Sequence, residues 1–379
     1  MHYLNNRPEI AGSVLLNTVI LALLLLGFTQ KTEAQSNSGH DHGQAPMESM
    51  DDHAHHAGSI NVHKWNGHRP DSNAPIGVMG NHTHHKGMLM LSYRYKYMNM
   101  NGNRIGTNSV SNQRVLEDFM VTPTDMTMQM HMFGLMYSPT DYITLMGMVP
   151  YVKKSMNHLT RMGTRFRTES DGIGDIKFTG LIKIFDNYRQ RVHLNAGMSF
   201  PTGSIDKKDA TPMGPNQQLP YPMQLGSGTF DLLPGITYLG QHNDLSWGSQ
   251  VSGTIRLGEN DRDYTLGDAL DITAWGAWDW YNWISTSARM DWQFWGNIDG
   301  ADSALNPALV PTADPNLRGG NRLDLLFGAN FYVPEGPRFI KGQRLAIEMG
   351  FPIYQDLDGP QLETDFVLTA GWQYEFAAY

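Results

Sequence analysis

From Met88 onward, apolar and polar side chains alternate with a period of two, the spacing of an extended strand whose two faces meet different surroundings. In "MLMLSYRYKYMNM", Leu89, Leu91, Tyr93, Tyr95 and Tyr97 share one face, and Met88, Met90, Ser92, Arg94, Lys96, Met98 and Met100 share the other. "DIKFTGLIKIF" sets Ile176, Phe178, Gly180, Ile182 and Ile184 against Asp175, Lys177, Thr179 and Lys183. "RVHLNAGMSF" opposes Val192, Leu194, Ala196, Met198 and Phe200 to Arg191, His193, Asn195 and Ser199. Similar runs near 124–138, 141–154, 226–240, 243–258, 265–282, 283–297, 320–333, 342–352 and 364–377 bring the expected strands to twelve.

The links between these runs follow a rhythm. Short ones fall after even-numbered strands, at Ser138 to Asp141, Asp186 to Tyr188, Gln241 to Asn243 and around Tyr281 and Asn282, with a moderate tenth link, "PEGPRFIKG". Long polar ones fall after odd-numbered strands, at Asn101 to Asn112, Ser155 to Asp171, Thr202 to Leu225 and Asn297 to Gly319. A transmembrane barrel has short turns at one rim and long loops at the other, and its backbone must close on itself in lipid. The expected fold is therefore all-β: one transmembrane antiparallel barrel of about twelve strands spanning residues 87–379, in the bacterial outer membrane, with both termini on the periplasmic side.

The final strand, "TDFVLTAGWQYEFAAY", places Phe366, Leu368, Ala370, Trp372, Tyr374 and Phe376 on one side and ends on Tyr379, resembling the C-terminal signature read by the barrel-assembly machinery. Trp275, Trp278, Trp280, Trp283, Trp292 and Trp295 flank one short turn, the expected place of an aromatic girdle at headgroup level. In "DMTMQMHMFGLMYSP", Met126, Met128, Met130, Met132 and Met136 share a face, but the pattern leaves open whether that face meets lumen or lipid.

The region before Met88 reads differently. A polar lead with Arg7, an apolar segment from Val14 to Phe28 and small residues Thr32 and Ala34 describe a secretory signal peptide over residues 1–34. Residues 35–86 are polar and low in complexity, and read as a disordered, flexible periplasmic arm, ordered at most around Ala74 to Gly80. The chain has no cysteine, which excludes disulfides and thiolate ligands, and its net charge of -9 argues against nucleic acid as a partner.

The arm carries ten of the fifteen histidines, so imidazole ligation is the chemistry to expect there. His40, His42, His53, His55, His56, His82, His84 and His85 are the candidate metal ligands, for weakly bound copper or zinc rather than a required cofactor. Fourteen of 23 methionines lie between Met88 and Met162, and thioethers select soft ions such as Cu(I). Arg94, Lys96, Met98, Met146, Met148, Lys177, Lys183 and Glu375 fall on the charged face and are expected to line the lumen. Among enzyme motifs, G-x-S-x-G, H-E-x-x-H and the P-loop are missing; "GIGD" at Gly172 to Asp175 opens a strand and is no dinucleotide fingerprint. A lipase with a His/Ser pair on the barrel wall would have to use His131 or His158, for which spacing names no serine partner.

"GIGDIKFTGLIKIF" (Gly172 to Phe185), "LNAGMSFPTGS" (Leu194 to Ser204) and "SPTDYITLMGMVPYV" (Ser138 to Val152) resemble the outer-membrane transporter family named after the meta-pathway of phenol degradation, barrels broadly similar to long-chain fatty-acid channels. The resemblance covers roughly residues 88–379. It implies an outer-membrane location and uptake of hydrophobic or aromatic solutes, with no catalytic residues. The expected function is a passive channel for a small hydrophobic or aromatic solute, embedded in outer-membrane lipid. The alternatives are a copper-type metal-handling barrel and an outer-membrane lipase.

Overall fold

A computed structural model describes residues 65–378 apart from residues 68 and 338. The segment expected to be a signal peptide and His40, His42, His53, His55 and His56 lie outside the described residues. Ten successive strands form most of a ring: β1 (Met88–Gly106), β2 (Val121–Tyr137), β3 (Ile143–Thr160), β4 (Ile176–Asp186), β5 (Gln190–Phe200), β6 (Phe230–His242), β7 (Leu245–Leu257), β8 (Ala269–Tyr281), β9 (Ile284–Trp295) and β10 (Gly320–Tyr332). A 35-residue run, Gln343–Ala377, completes it. Its first part pairs antiparallel with β10 and its second part antiparallel with β1.

Every pairing around the ring is antiparallel, and such a ring closes only with an even number of passes. The long run must therefore reverse direction. It does so near Asp358-Gly359-Pro360, beyond which Gln355 and Thr364 exchange side-chain to backbone hydrogen bonds of 3.0 and 2.9 Å. The two legs, 343–357 (β11) and 361–377 (β12), make twelve passes, as the alternation predicts. A short hairpin strand, Asn108–Val110, pairs beside β1, and Arg165–Ile173 pairs beside the upper part of β3.

The alternation assigns the faces. Phe133 is 57% exposed and Leu135 48%, whereas Met126, Met132 and Met136 between and beside them are 3–8% exposed. The methionine stripe faces the lumen and its aromatic and aliphatic neighbours face outward. Leu91, Phe178, Ile182, Leu194, Ile236, Phe327, Ile347 and Phe351 continue the exposed apolar belt around the barrel. The interior is polar: Ser92, Thr144, Thr179, His193, Thr237, Gln250, Thr273, Asn330 and Thr369 are buried there. An apolar outside around a polar inside is what a strand in lipid requires.

Three expectations need correction. β1 and β3 run for 19 and 18 residues, well into the segments Asn101 to Asn112 and Ser155 to Asp171 expected to be loops. About 9–11 residues suffice to cross the bilayer, so the remaining strand projects past the lipid, where alternation is not enforced and the sequence shows none. The tryptophans do not form one girdle. Trp278, Trp280 and Trp283 are exposed at the rim carrying the termini, but Trp292 and Trp295 lie near the opposite ends of their strand, and Trp275 is buried against Ala74, Val78 and Leu239. Finally, the end of the expected arm, from Trp65 to Gly87, is folded into the barrel.

Candidate functional site

Residues 65–87 form a plug. Its entry is fixed at the terminal rim: Trp65 receives the Arg191 guanidinium over its ring at 4.5 Å, Asn66 N–H donates to Gln241 Oε1 at 2.9 Å, and Arg69 pairs with Asp71 and Asp279 at 2.8 and 3.2 Å. Ser246 Oγ donates to the Asp71 carbonyl at 2.7 Å. The chain then climbs into the lumen, where Ala74, Ile76 and Val78 are 1–3% exposed.

The plug's backbone meets a side-chain group from many sides of the ring. Arg344 Nη2 donates to the Ala74 carbonyl (2.7 Å), Arg94 Nε to that of Ile76 (3.1 Å), Gln250 Nε2 to that of Met79 (2.9 Å) and His193 Nε2 to that of Gly80 (2.9 Å). Gly77 N–H donates to Glu348 Oε2 at 3.1 Å. Buried backbone groups must find partners, and a loop inside a barrel has none of its own, so the wall supplies them. Each neutral bond contributes about 0.5–1.5 kcal/mol and those to ionised groups about 1.5–3. Packing adds to this: a side chain at Gly371 would press on Ile76 Cγ1 at 2.8 Å, so the glycine leaves the hollow in which Ile76 seats.

Returning to the wall, the plug passes His84, whose Nδ1 donates to Glu375 Oε1 at 2.9 Å and whose N–H donates to Thr144 Oγ1 at 3.0 Å. His82 stands edge-on to it, with ring centroids 4.7 Å apart. Burial first, and then the neighbouring His84, Arg344, Arg94 and His193, hold the His82 pKa well below the ordinary histidine value.

The loop end is capped too. Tyr221, Tyr264 and Ile298 pack with Leu266 and Leu305, and Leu219 and Met223 pack on Met126 and Met156 of the wall. Lys154 fastens this cap, its Nζ donating to the carbonyls of Pro222 (2.8 Å) and Gln224 (2.5 Å).

Between plug and cap lies a cavity of about 750 Å³. One wall is methionine: Met130, Met132, Met146 and Met148. The rest of the lining is strongly polar, with Lys96, Lys177 and Asp271 beside a set of ion pairs. Arg289 binds Glu348 through Nε and Nη2 at 2.8 and 3.0 Å and Asp291 at 3.0 Å; Arg256 pairs with Asp231 at 2.5 Å; Arg322 and Asp324 pair at 2.9 Å above. A smaller cavity of about 210 Å³ lies beside the cap, next to Met98, Met100, Met126 and Met156.

The residues expected to line the lumen are placed as follows. Arg94, Lys96, Met146, Met148 and Lys177 border the main cavity and Met98 the smaller one. Lys183 lies toward the terminal rim in an ion pair with Asp186 at 3.2 Å, and Glu375 is taken by His84. The described histidines of the expected metal set do not converge. His85 is exposed near Asp141, on the other side of the turn from His84, and among the described residues no three His, Asp or Glu side chains meet in a metal-binding group. His131 and His158 face opposite sides of the wall. His131 shares a hydrogen bond of 2.8 Å with the Tyr93 hydroxyl and His158 stacks on Phe166 with ring centroids 4.7 Å apart. Sequence reasoning missed Ile76, Gly77, Lys154, Arg289 and Glu348. Only the Gly77-Val78-Met79-Gly80 punctuation hinted at a tight passage.

A closed barrel with an apolar outer belt, a polar interior, a lumenal plug and a loop cap defines the class: a plugged outer-membrane-type β-barrel. No protein-family model and no curated protein matches the chain. Among solved structures, an outer-membrane channel from Pseudomonas putida F1 aligns with a TM-score of 0.55 at 14% identity, over 79% of this chain and 99% of that one. A FadL homologue of Pseudomonas aeruginosa aligns at 0.36 and 12% identity, over 77% and 90%. A deletion mutant of TodX, a monoaromatic hydrocarbon channel, aligns at 0.38 and 11%, over 77% and 91%. The first is a likeness of fold.

Proposed function

We propose that this chain is an outer-membrane channel through which small hydrophobic or aromatic solutes diffuse, entering past the loop cap and leaving when the plug yields at the periplasmic rim. The observation that carries the reading is the cavity of about 750 Å³ held between plug and cap. Ligand pockets are commonly about 300–1,000 Å³, and this one sets a thioether wall against a polar one. Methionine is flexible and polarisable, so such a wall adapts to flat or elongated solutes rather than selecting one shape. The sequence phrases that resemble the phenol-pathway transporter family support the same substrate class.

The paired charges matter to this reading. Arg289, Glu348 and Asp291 satisfy one another, so an apolar solute need not strip a lone ion of its partner to pass. The test is uptake of a labelled monoaromatic compound by Gram-negative cells with an intact lipopolysaccharide layer. Cells making the barrel should take it up faster than cells without it, and Met130→Lys/Met148→Lys should abolish the difference. Equal uptake with and without the barrel, or faster entry of a hydrophilic sugar instead, would sink the reading.

A further inference from the structure

Three methionines stand side by side on the lumen wall near the terminal rim. Register places Met90 opposite Met136 and Met136 opposite Met146, and on its other side Met90 is opposite Glu375. Met90, Met136 and Met146 are buried together with Leu181 in one cluster. The plug lies across this row. A side chain at Gly80 would sit 3.7 Å from the Met146 methyl carbon, and His84 spans the row from Glu375, through Nδ1, to Thr144, two residues before Met146 on the same face.

His84 has a feature that the channel reading does not use. Its side chain is 2% exposed, yet Nε2 has no hydrogen-bond partner among the described residues. With Nδ1–H donating to a carboxylate, the neutral ring keeps its Nε2 lone pair free. That is the arrangement in which histidine ligates a metal, the carboxylate fixing the tautomer and raising the basicity of the donor nitrogen. A buried imidazole nitrogen on the plug segment that crosses a row of three thioethers offers a soft donor set, suited to Cu(I) or Ag(I) and poorly suited to Ca²⁺ or Mg²⁺. The local charge points the same way. Glu375 can balance one positive charge, whereas Arg94, four residues along β1 on the same face, raises the cost of a second.

We propose that His84 Nε2 and the thioethers of Met90, Met136 and Met146 form a binding site for a soft monovalent cation of the Cu(I) type, assembled only when the plug is docked. Above it, Met132, Met148, Met130, Met126 and Met156 continue the same face toward the cap, so an ion released from this site would find further thioether donors along the wall. The site does not depend on which solute crosses the barrel.

The test uses the purified full chain in detergent with Ag(I), which is stable to air and ligates as Cu(I) does. A saturating excess of Zn(II) occupies the histidine-rich stretch preceding the plug. Wild type is expected to retain one Ag(I) per chain with sulfur scatterers in its X-ray absorption spectrum. Met136→Leu/Met146→Leu, which conserves volume, and His84→Ala should each weaken Ag(I) binding about ten- to a hundred-fold, with heat-modifiable migration confirming a folded barrel. No retained Ag(I) in wild type, retention through nitrogen alone, or undiminished binding by the folded double variant would overturn the site. Loss of aromatic uptake by the barrel would bear on the channel reading and leave this one standing.

Discussion

Gly77 and Glu348 meet in the middle of the lumen: the glycine N–H donates to Oε2 at 3.1 Å while the same carboxylate clasps Arg289. A Cβ at position 77 would overlap that oxygen and stand 2.6 Å from Arg289 Nη2. Only glycine lets the plug's backbone rest on a buried ion pair.

Gly77→Ala is therefore expected to weaken plug docking, since either the hydrogen bond or the ion pair must give way, at about 1–3 kcal/mol. The barrel itself should stay folded. Conductance in planar bilayers should rise tenfold or more in open probability, and conductance equal to wild type would show that the plug relaxes around the methyl group.

Removing the carboxylate is a different perturbation. Glu348→Ala leaves Arg289, whose side chain is 7% exposed, with the ion pair to Asp291 and the hydrogen bond to Thr273. Breaking a buried pair from one side costs about 3–5 kcal/mol, and Asp291 should hold the loss to the lower end of that range. Arg289→Met/Glu348→Leu removes both partners and should cost much less. The midpoint of heat modification on gels compares the two, and a double variant weaker than the single one would contradict the argument.

At the other end, Lys154→Met deletes two hydrogen bonds to the carbonyls of Pro222 and Gln224 while keeping the aliphatic stem. The cap should loosen without leaving its apolar seat on Met126 and Met156. Limited proteolysis should cut between residues 202 and 225 several-fold faster than in wild type, with the remaining barrel resistant; an unchanged cleavage rate would remove Lys154 as the fastener.

Acid should release the plug. The His82 pKa is lowered by docking, chiefly through burial and then through His84, Arg344, Arg94 and His193. The docked state thus binds fewer protons than the undocked one. Its contribution is complete above the ordinary value of 6.5 and is lost as pH falls from there through the lowered value. Each unit in that window costs up to about 1.4 kcal/mol. Glu375, held by His84, would offset part of the added charge. Conductance should increase on acidification below 6.5, and His82→Asn should flatten the response.

What the sequence determined by itself was the wall. A strand in lipid exposes every second side chain to hydrocarbon, so Leu91, Phe178 and Leu194 had to alternate with Ser92, Thr179 and His193, and the strand count and loop rhythm follow from that constraint. The alternation put Arg94, Lys96, Met146, Met148 and Lys177 on the charged face for the same reason. It left the methionine stripe unplaced, because methionine is apolar enough for lipid and its neighbours Phe133 and Leu135 had to be seen outside before it could be placed inside. The upper parts of β1 and β3 were hidden because beyond the bilayer no face is forced to be apolar. The tertiary structure alone decided the plug: residues 65–87 have no periodicity, since a segment whose backbone is satisfied by Arg94, Arg344, Gln250 and Glu348 needs neither helix nor strand. It also decided that His84 bonds Glu375 across the seam, a pairing between residues far apart in sequence that only closure of the barrel brings together.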